Sequence, residues 1–409
     1  MDTHIKVSEY QSRRSKVLKA LRGSIGVVFA GEGGAPLVGK WMPDPFFYYL
    51  TGIADERGAC VVFDPSNPDP SRRCVLYLKP LLPEIDAWDG YRAPLGAELR
   101  KATGFDRVLR TLSLPRFLSQ AAIRTKSLTC LHPFGTYEQP VTQDLQLFRK
   151  LAERIPGVAI EDRTDLLPKI RGVKSRAEVS LIKRALEATK AGHEALVDML
   201  EPGISERDLH IEMDHAFKLA GGAGAAYNPI IGAGVNSTVL HYMANDQPIN
   251  QGDILCVDAG SSFGGYAADI TRSYPADGKF TKRQRKIYDI VREALDAGVR
   301  AAKPGASMSD VDAAAREIID RAGFGDTFVH GIGHHLGLEV HDVEPGGTLE
   351  PGHVITIEPG IYLKDEGIGV RLEEDVQITA SGKINLSKDI EIDPGEIEKR
   401  MARAKRRRG

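Results

Sequence analysis

The stretch QGDILCVDAG at residues 251–260 returns as PGHVITIEPG at residues 351–360. Each begins at a glycine turn, continues through an apolar run, and ends on an acid followed shortly by glycine. The acid is Asp258 in the first copy and Glu358 in the second, 100 residues on. Short β-rich runs bounded by Gly, Pro and Asp read as strands. A second pair, PGISERDL at 202–209 and PGASMSDV at 304–311, repeats at a spacing of 102. His241 and His341 also stand 100 apart. The region from about 175 to 400 therefore reads as two halves of about 100 residues, each with helices followed by strands. Each half offers one histidine and then one acid at the end of an apolar strand. Packed face to face, the halves would bring those groups together.

Upstream, IRGVKS carries Gly172, and Ser175 with Glu178 forms a capping-box pattern that opens a helix. Val179, Ile182, Leu186 and Leu196 follow at helical spacing. Before this boundary, 25–30, 59–63 and 74–78 read as strands, and 10–21 and 142–155 as helices. That alternation fits an open sheet with helices on its faces. The aromatic segment FFYYLTG (46–52) reads mostly as core. The expected architecture is α/β (α+β), with one domain over 1–170 and a second, internally repeated domain over 171–400. The basic run KRMARAKRRRG makes 401–409 a solvated, disordered tail.

The chain has 409 residues, 42% hydrophobic and 27% charged, as expected for a globular protein. Its 54 Lys and Arg against 56 Asp and Glu leave a net charge of −2. That balance gives no overall pull toward nucleic acid or an anionic membrane. Cys60, Cys74, Cys130 and Cys256 form no C-x-x-C pair and read as reduced thiols. The first residues lack an apolar signal segment, and no run matches a membrane span. These features point to a cytoplasmic protein.

The chemistry gathers in the second domain. Asp258 closes an apolar strand, where a carboxylate needs a partner or a metal. Asp269 follows 11 residues later, after Gly264-Gly265, so a hairpin would place the two acids together. Two adjacent carboxylates require a cation or a proton between them. FVHGIGHHLGLEVHD then packs His330, His334, His335 and His341 into 12 residues, of 11 histidines in all. In GVRLEEDVQIT, strand alternation puts Arg371, Glu373 and Asp375 on one face and leaves Glu374 solvated. Four carboxylates (Asp258, Asp269, Glu358, Glu373) and one imidazole exceed the needs of one ion and suit two. Two divalent ions about 3.5–4 Å apart activate water and polarise a carbonyl, which implies hydrolysis of an amide or a related bond.

These motifs resemble the pita-bread metallopeptidases that cleave Xaa-Pro bonds, aminopeptidase P and prolidase. The resemblance rests on HYMAND (241–246), DAGSSFGGYAADITRSYP (258–275), HGIGHHLGLEVHD (330–342), ITIEPGIY (355–362) and GVRLEED (369–375). DPFFYYLTG (44–52) and WDGYR (88–92) extend it to a creatinase-like N-terminal domain. The resemblance implies Asp258, Asp269, His334, Glu358 and Glu373 as ligands of two divalent ions, Mn first, with Co or Zn as alternatives. It selects His334 over His335, because the family's ligand follows H-G-x-x. It assigns His241, His330 and His341 to substrate and the tetrahedral intermediate, Arg371 to support of the acids, and Glu358 to proton shuttling. It implies release of the N-terminal residue from proline-containing peptides by a homodimer, with no nucleic-acid or membrane partner. SYPADGKFTKRQRKIYDIV (273–291) favours the aminopeptidase over a prolidase restricted to dipeptides. A metal-free creatinase-type hydrolase or a non-catalytic binding module would be expected to lack ligands that this chain keeps. The chain departs from many aminopeptidase P proteins in Gly333 and His335, where those carry Ser and Trp.

Overall fold

The computed structural model describes residues 5–33, 41–82, 84, 92–135 and 137–408. Residues 88–91 of the WDGYR motif lie outside them. The chain divides into two compact units, Met1–Arg171 and Gly172–Gly409.

The first unit is built on a mixed six-stranded sheet. Its strand order is Arg107–Arg110, Cys74–Leu78, Cys60–Phe63, Ile25–Phe29, Ser127–Cys130, Ala159–Asp162. Apolar side chains from the central strands pack against Leu118, Ala121 and Ala122 of the helix Leu114–Thr125 and Phe148 of the helix Gln143–Ala152. The aromatic segment forms the helix Pro45–Thr51. Asp44 caps it by accepting from Phe46 N and Phe47 N, and Pro45 occupies a first-turn position where its missing N–H is harmless. Phe46, Phe47, Tyr49 and Leu50 are buried, as a core segment should be.

The second unit shows the repeat directly. Helix Arg176–Met199 packs on Glu206–Leu219, and Lys282–Ala301 packs on Met308–Arg321. Capping boxes open all four helices, at Ser175, Ser205, Thr281 and Ser307. The turns before the second helices even share backbone bonds. Gly203 N donates to Ile249 O and Ile249 N to Ile204 O; Gly305 N donates to Leu349 O and Leu349 N to Ala306 O. Strand Ile254–Asp258 lies between Ile230–Ala233 and Thr271–Pro275. In the second half, Glu374–Thr379 lies between Val354–Ile357 and Gly382–Asn385. One apolar core, with Leu255 and Val257 from one half and Ile355 and Ile357 from the other, joins the two.

Two expectations fail here. Glu374 is not solvated but 3% exposed, with Arg272 Nη2 2.8 Å from its carboxylate. Strand alternation is interrupted here: one strand ends at Arg371 and another, in a different sheet, starts at Glu374. Arg272 also donates to the carbonyls of Thr271, Glu373, Ile390 and Glu391. Removing one partner strands the other charge, so Arg272→Met is expected to lower unfolding free energy by about 3–5 kcal/mol. Denaturant titration checks this; a change under 1 kcal/mol would contradict it.

The basic tail is not disordered either. It belongs to the helix Pro394–Arg408, in which Ile397, Met401 and Ala404 are buried. Their i, i+4, i+7 spacing makes an apolar stripe beneath the arginines. Arg400 bridges Asp198 at 2.7 Å. Reading the segment by charge alone concealed that stripe. No helix of the described residues is long and apolar enough to cross a membrane.

Candidate metal centre

A cavity of about 610 Å³ opens in the second unit. Asp258, Asp269, His334, Glu358 and Arg371 line it, as do His241, His330 and His341. Asp258 ends its strand directly opposite Thr271, and Asp269 lies two residues before that partner. The Gly264-Gly265 turn closes only a small separate ribbon, Ser262–Phe263 against Tyr266–Ala267. The two aspartates are nevertheless neighbours. Tyr227 Oη lies 2.5 Å from Asp258 Oδ1 and also reaches Asp269 Oδ1.

Glu373 is 1% exposed and follows Arg371 in the link between two strands. Its N–H donates to Thr271 O, and its Oε2 accepts from Thr271 Oγ1 at 2.8 Å. Its Oε1 is buried and has no hydrogen-bond partner among the described residues. Ligand atoms of Asp269, His334 and Glu373 lie within 4.8 Å of one another. His334 Nε2 is 3.4 Å from Asp269 and 3.7 Å from Glu358. An orphaned buried oxygen, converging carboxylates and one imidazole fit divalent cations.

Electrostatics agree. Burial drives Glu358 up to about 8, with Arg371 opposing and Asp269 adding to the rise. Burial, then Asp269 and Glu358, hold Glu373 well above the usual range. Burial works against a charged His334, yet its hydrogen bond and attraction to Asp269 raise it to about 9. Without cations the cluster therefore holds protons where a metal would supply charge.

Arg371 organises the wall. It meets Asp258 at 2.7 Å, Thr271 Oγ1 at 3.1 Å and Tyr362 Oη at 3.0 Å. Tyr362 Oη in turn meets His330 Nε2 at 2.8 Å, and His330 Nδ1 meets Gly331 O at 2.8 Å. A carbonyl can only accept, so the His330 proton sits on Nδ1 and Nε2 accepts from Tyr362. Burial holds His330 at about 4, so it is neutral near pH 7. Both of its ring nitrogens are engaged, which makes it more a relay member than a free donor. His341 stacks on His334 with ring centres 3.9 Å apart.

Gly333 has φ of +152°, and a Cβ there would stand 2.3 Å from Thr356 O. A serine at this position would require the backbone to move, so glycine is built into this loop. His335 is buried at 7% exposure beside His353, away from the cavity lining.

Sequence reasoning missed Tyr227 as the bridge between two acids, because a lone tyrosine in AAYNP gives no pattern. Tyr362, in ITIEPGIY, likewise carries no sequence signal for its place between Arg371 and His330. Asp375 is fully buried and accepts from Asp269 N at 3.3 Å, behind the centre.

A buried carboxylate–imidazole cluster at the floor of a cavity, on a doubled helix-and-strand scaffold, defines a metallohydrolase class. The profile of Metallopeptidase family M24 matches residues 180–380, and that of the aminopeptidase P N-terminal domain matches 10–129. An Escherichia coli Xaa-Pro aminopeptidase is 32% identical across 99% of this chain and all of that protein. A Pyrococcus furiosus Xaa-Pro dipeptidase is 37% identical across 55% of this chain and 65% of its own. Solved structures of E. coli aminopeptidase P, one in complex with substrate and one zinc-substituted with product, are each 30% identical. Each superposes with a TM-score of 0.87 over 98% of this chain and 99% of that chain. The chain belongs to metallopeptidase family M24, with an aminopeptidase P N-terminal domain before its catalytic fold.

Proposed function

We propose that this protein is an Xaa-Pro aminopeptidase, releasing the N-terminal residue from peptides with proline second. The observation that carries the reading is a cavity lined by Asp258, Asp269, His334 and Glu358, with the buried Glu373 gathered against Asp269 and His334. The likeness to an aminopeptidase spans nearly the whole chain, whereas the dipeptidase likeness covers 55% of it. That contrast favours peptides longer than two residues.

Those five side chains would hold two divalent ions, Mn foremost. Bound there, such ions lower the pKa of water and polarise a carbonyl. The protein's own groups do the rest. Glu358 is placed to take a proton from the attacking water and pass it to the leaving proline nitrogen. His341 is placed to donate to the oxyanion of the tetrahedral intermediate. Arg371 holds the Asp258 carboxylate in place through their 2.7 Å contact. The bond before proline lacks an N–H and has its own cis/trans balance, which calls for a shaped pocket rather than a backbone clamp. The buried free thiols Cys60, Cys130 and Cys256 suit a reducing, cytoplasmic setting. The family resemblance favours a homodimer, which sedimentation would test.

Metal ligands must shed their protons. In the metal-free protein Glu358 near 8 and His334 near 9 are protonated at neutral pH, so loading releases protons and tightens as pH rises. Manganese affinity at pH 8.5 is expected to exceed that at pH 6.5 by at least about tenfold. Calorimetric titration in two buffers of different ionisation enthalpy checks this. Equal affinity at both pH values, with no proton release, would contradict it.

A further inference from the structure

The two cavity histidines 100 residues apart share a second feature. The residue after each is tied to a buried charge from outside its own loop. After His241 comes Tyr242, whose hydroxyl donates to Glu206 Oε2 at 2.8 Å. Glu206 is fully buried in the first turn of its helix. Its carboxylate accepts three more bonds: from Ala233 N at 2.9 Å, Asn236 Nδ2 at 3.2 Å and Gln247 N at 3.1 Å. A buried carboxylate is tolerable only when its lone pairs are filled. Here all four donors belong to segment 233–247, which carries His241.

After His341 comes Asp342, whose Oδ2 lies 2.8 Å from Lys174 Nζ. These side chains are 0% and 1% exposed. Asp342 N also donates to His335 O, closing the loop between them. A Cβ on Gly337 would stand 2.3 Å from Asp342 Oδ2 and 2.9 Å from Lys174 Cε, so that glycine lets the loop close onto the pair. Neither Glu206 nor Lys174 lines the cavity.

We propose that Glu206 and Lys174 are positioning residues for substrate binding, Glu206 fixing His241 and Lys174 fixing His341. The same device thus appears once in each half of the repeat. The proposal rests on the function above and on the family resemblance, which assigns both histidines to substrate. A group that acts only through a histidine has no effect once that histidine is gone, whereas general packing does.

The test uses the full-length, manganese-loaded enzyme and an Xaa-Pro-Yaa tripeptide. It measures kcat and KM for Glu206→Gln and Lys174→Met, alone and in His241→Ala and His341→Ala backgrounds. Each single change is expected to lower kcat/KM about tenfold, the low end for groups that orient functional side chains. Glu206→Gln should lose that effect in the His241→Ala background and keep it in His341→Ala. Lys174→Met should show the reverse. Tyr242→Phe, which leaves Glu206 in place, should repeat the Glu206 pattern with a smaller loss. Should Lys174→Met not fold, Asp342→Asn keeps the shape and removes the charge. Independently of activity, Glu206→Gln should speed amide exchange across 233–247.

A loss that persists undiminished in its own histidine's background would overturn the proposal. So would no loss in a folded variant. If the histidine variants cleave as well as the parent, the tethers fall while the peptidase reading stands. If the parent enzyme does not cleave, it is the peptidase reading that falls.

Discussion

Glu373→Gln is expected to leave a folded protein whose hydrolysis of Xaa-Pro-Yaa peptides falls by about 10³-fold or more. Partners that merely orient metal ligands are worth roughly 10–100-fold, so a ligand itself must exceed that. Glu373 has one oxygen fixed by Thr271 and the other buried and unpartnered, aimed at the cluster of Asp269 and His334. The amide would keep the bond from Thr271 but lose the charge that offsets a cation. The neighbouring Glu374→Gln is expected to do the opposite. It breaks the buried pair with Arg272, lowering stability by about 3 kcal/mol, while kcat of the folded enzyme stays within a few-fold. Kinetics and denaturant titration of both variants separate the two adjacent acids. Equal effects on activity would contradict the assignment of Glu373 as the inward one.

Removing metal is expected to have the second large effect. Chelation should abolish cleavage and also lower Tm, because the floor of the cavity is left with four carboxylates facing Arg371 and His334. A ligand present at 100 times its Kd stabilises by about 2.7 kcal/mol. For a unit of this size that corresponds to a Tm lower by about 5–10 °C after stripping. Differential scanning calorimetry with and without EDTA measures it. Restored manganese should recover both Tm and activity; an unchanged Tm would contradict a cation-filled centre.

Most of the fold was legible because the repeat is written in the sequence. The spacing of Asp258 to Glu358 and of Pro202 to Pro304 announced two similar halves, and the capping boxes at Ser205 and Ser307 carry it into three dimensions. The cavity was legible where motifs end strands, as at Asp258, or cluster, as around His334. Proximity of Asp258 and Asp269 was anticipated, but through a plain hairpin. Their actual link is strand pairing of Asp258 with Thr271, with the glycine turn displaced into a separate ribbon. Buried charge was the hidden part. Glu206, Lys174, Arg272 and Glu374 look like ordinary polar surface in sequence, because nothing local shows that a partner about 35 to 170 residues away fills their hydrogen bonds. Tyr227 escaped for the same reason. The C-terminal arginines masked an apolar stripe that only helical spacing reveals.

The most direct measurement is hydrolysis of Xaa-Pro and Xaa-Pro-Yaa peptides by EDTA-stripped protein, before and after addition of manganese. Cleavage of the tripeptide before proline, absent in the stripped protein and restored by the metal, is the expected result. Cleavage of the dipeptide alone would contradict the aminopeptidase reading in favour of a dipeptidase. No cleavage with any divalent metal would contradict a working metallopeptidase centre altogether.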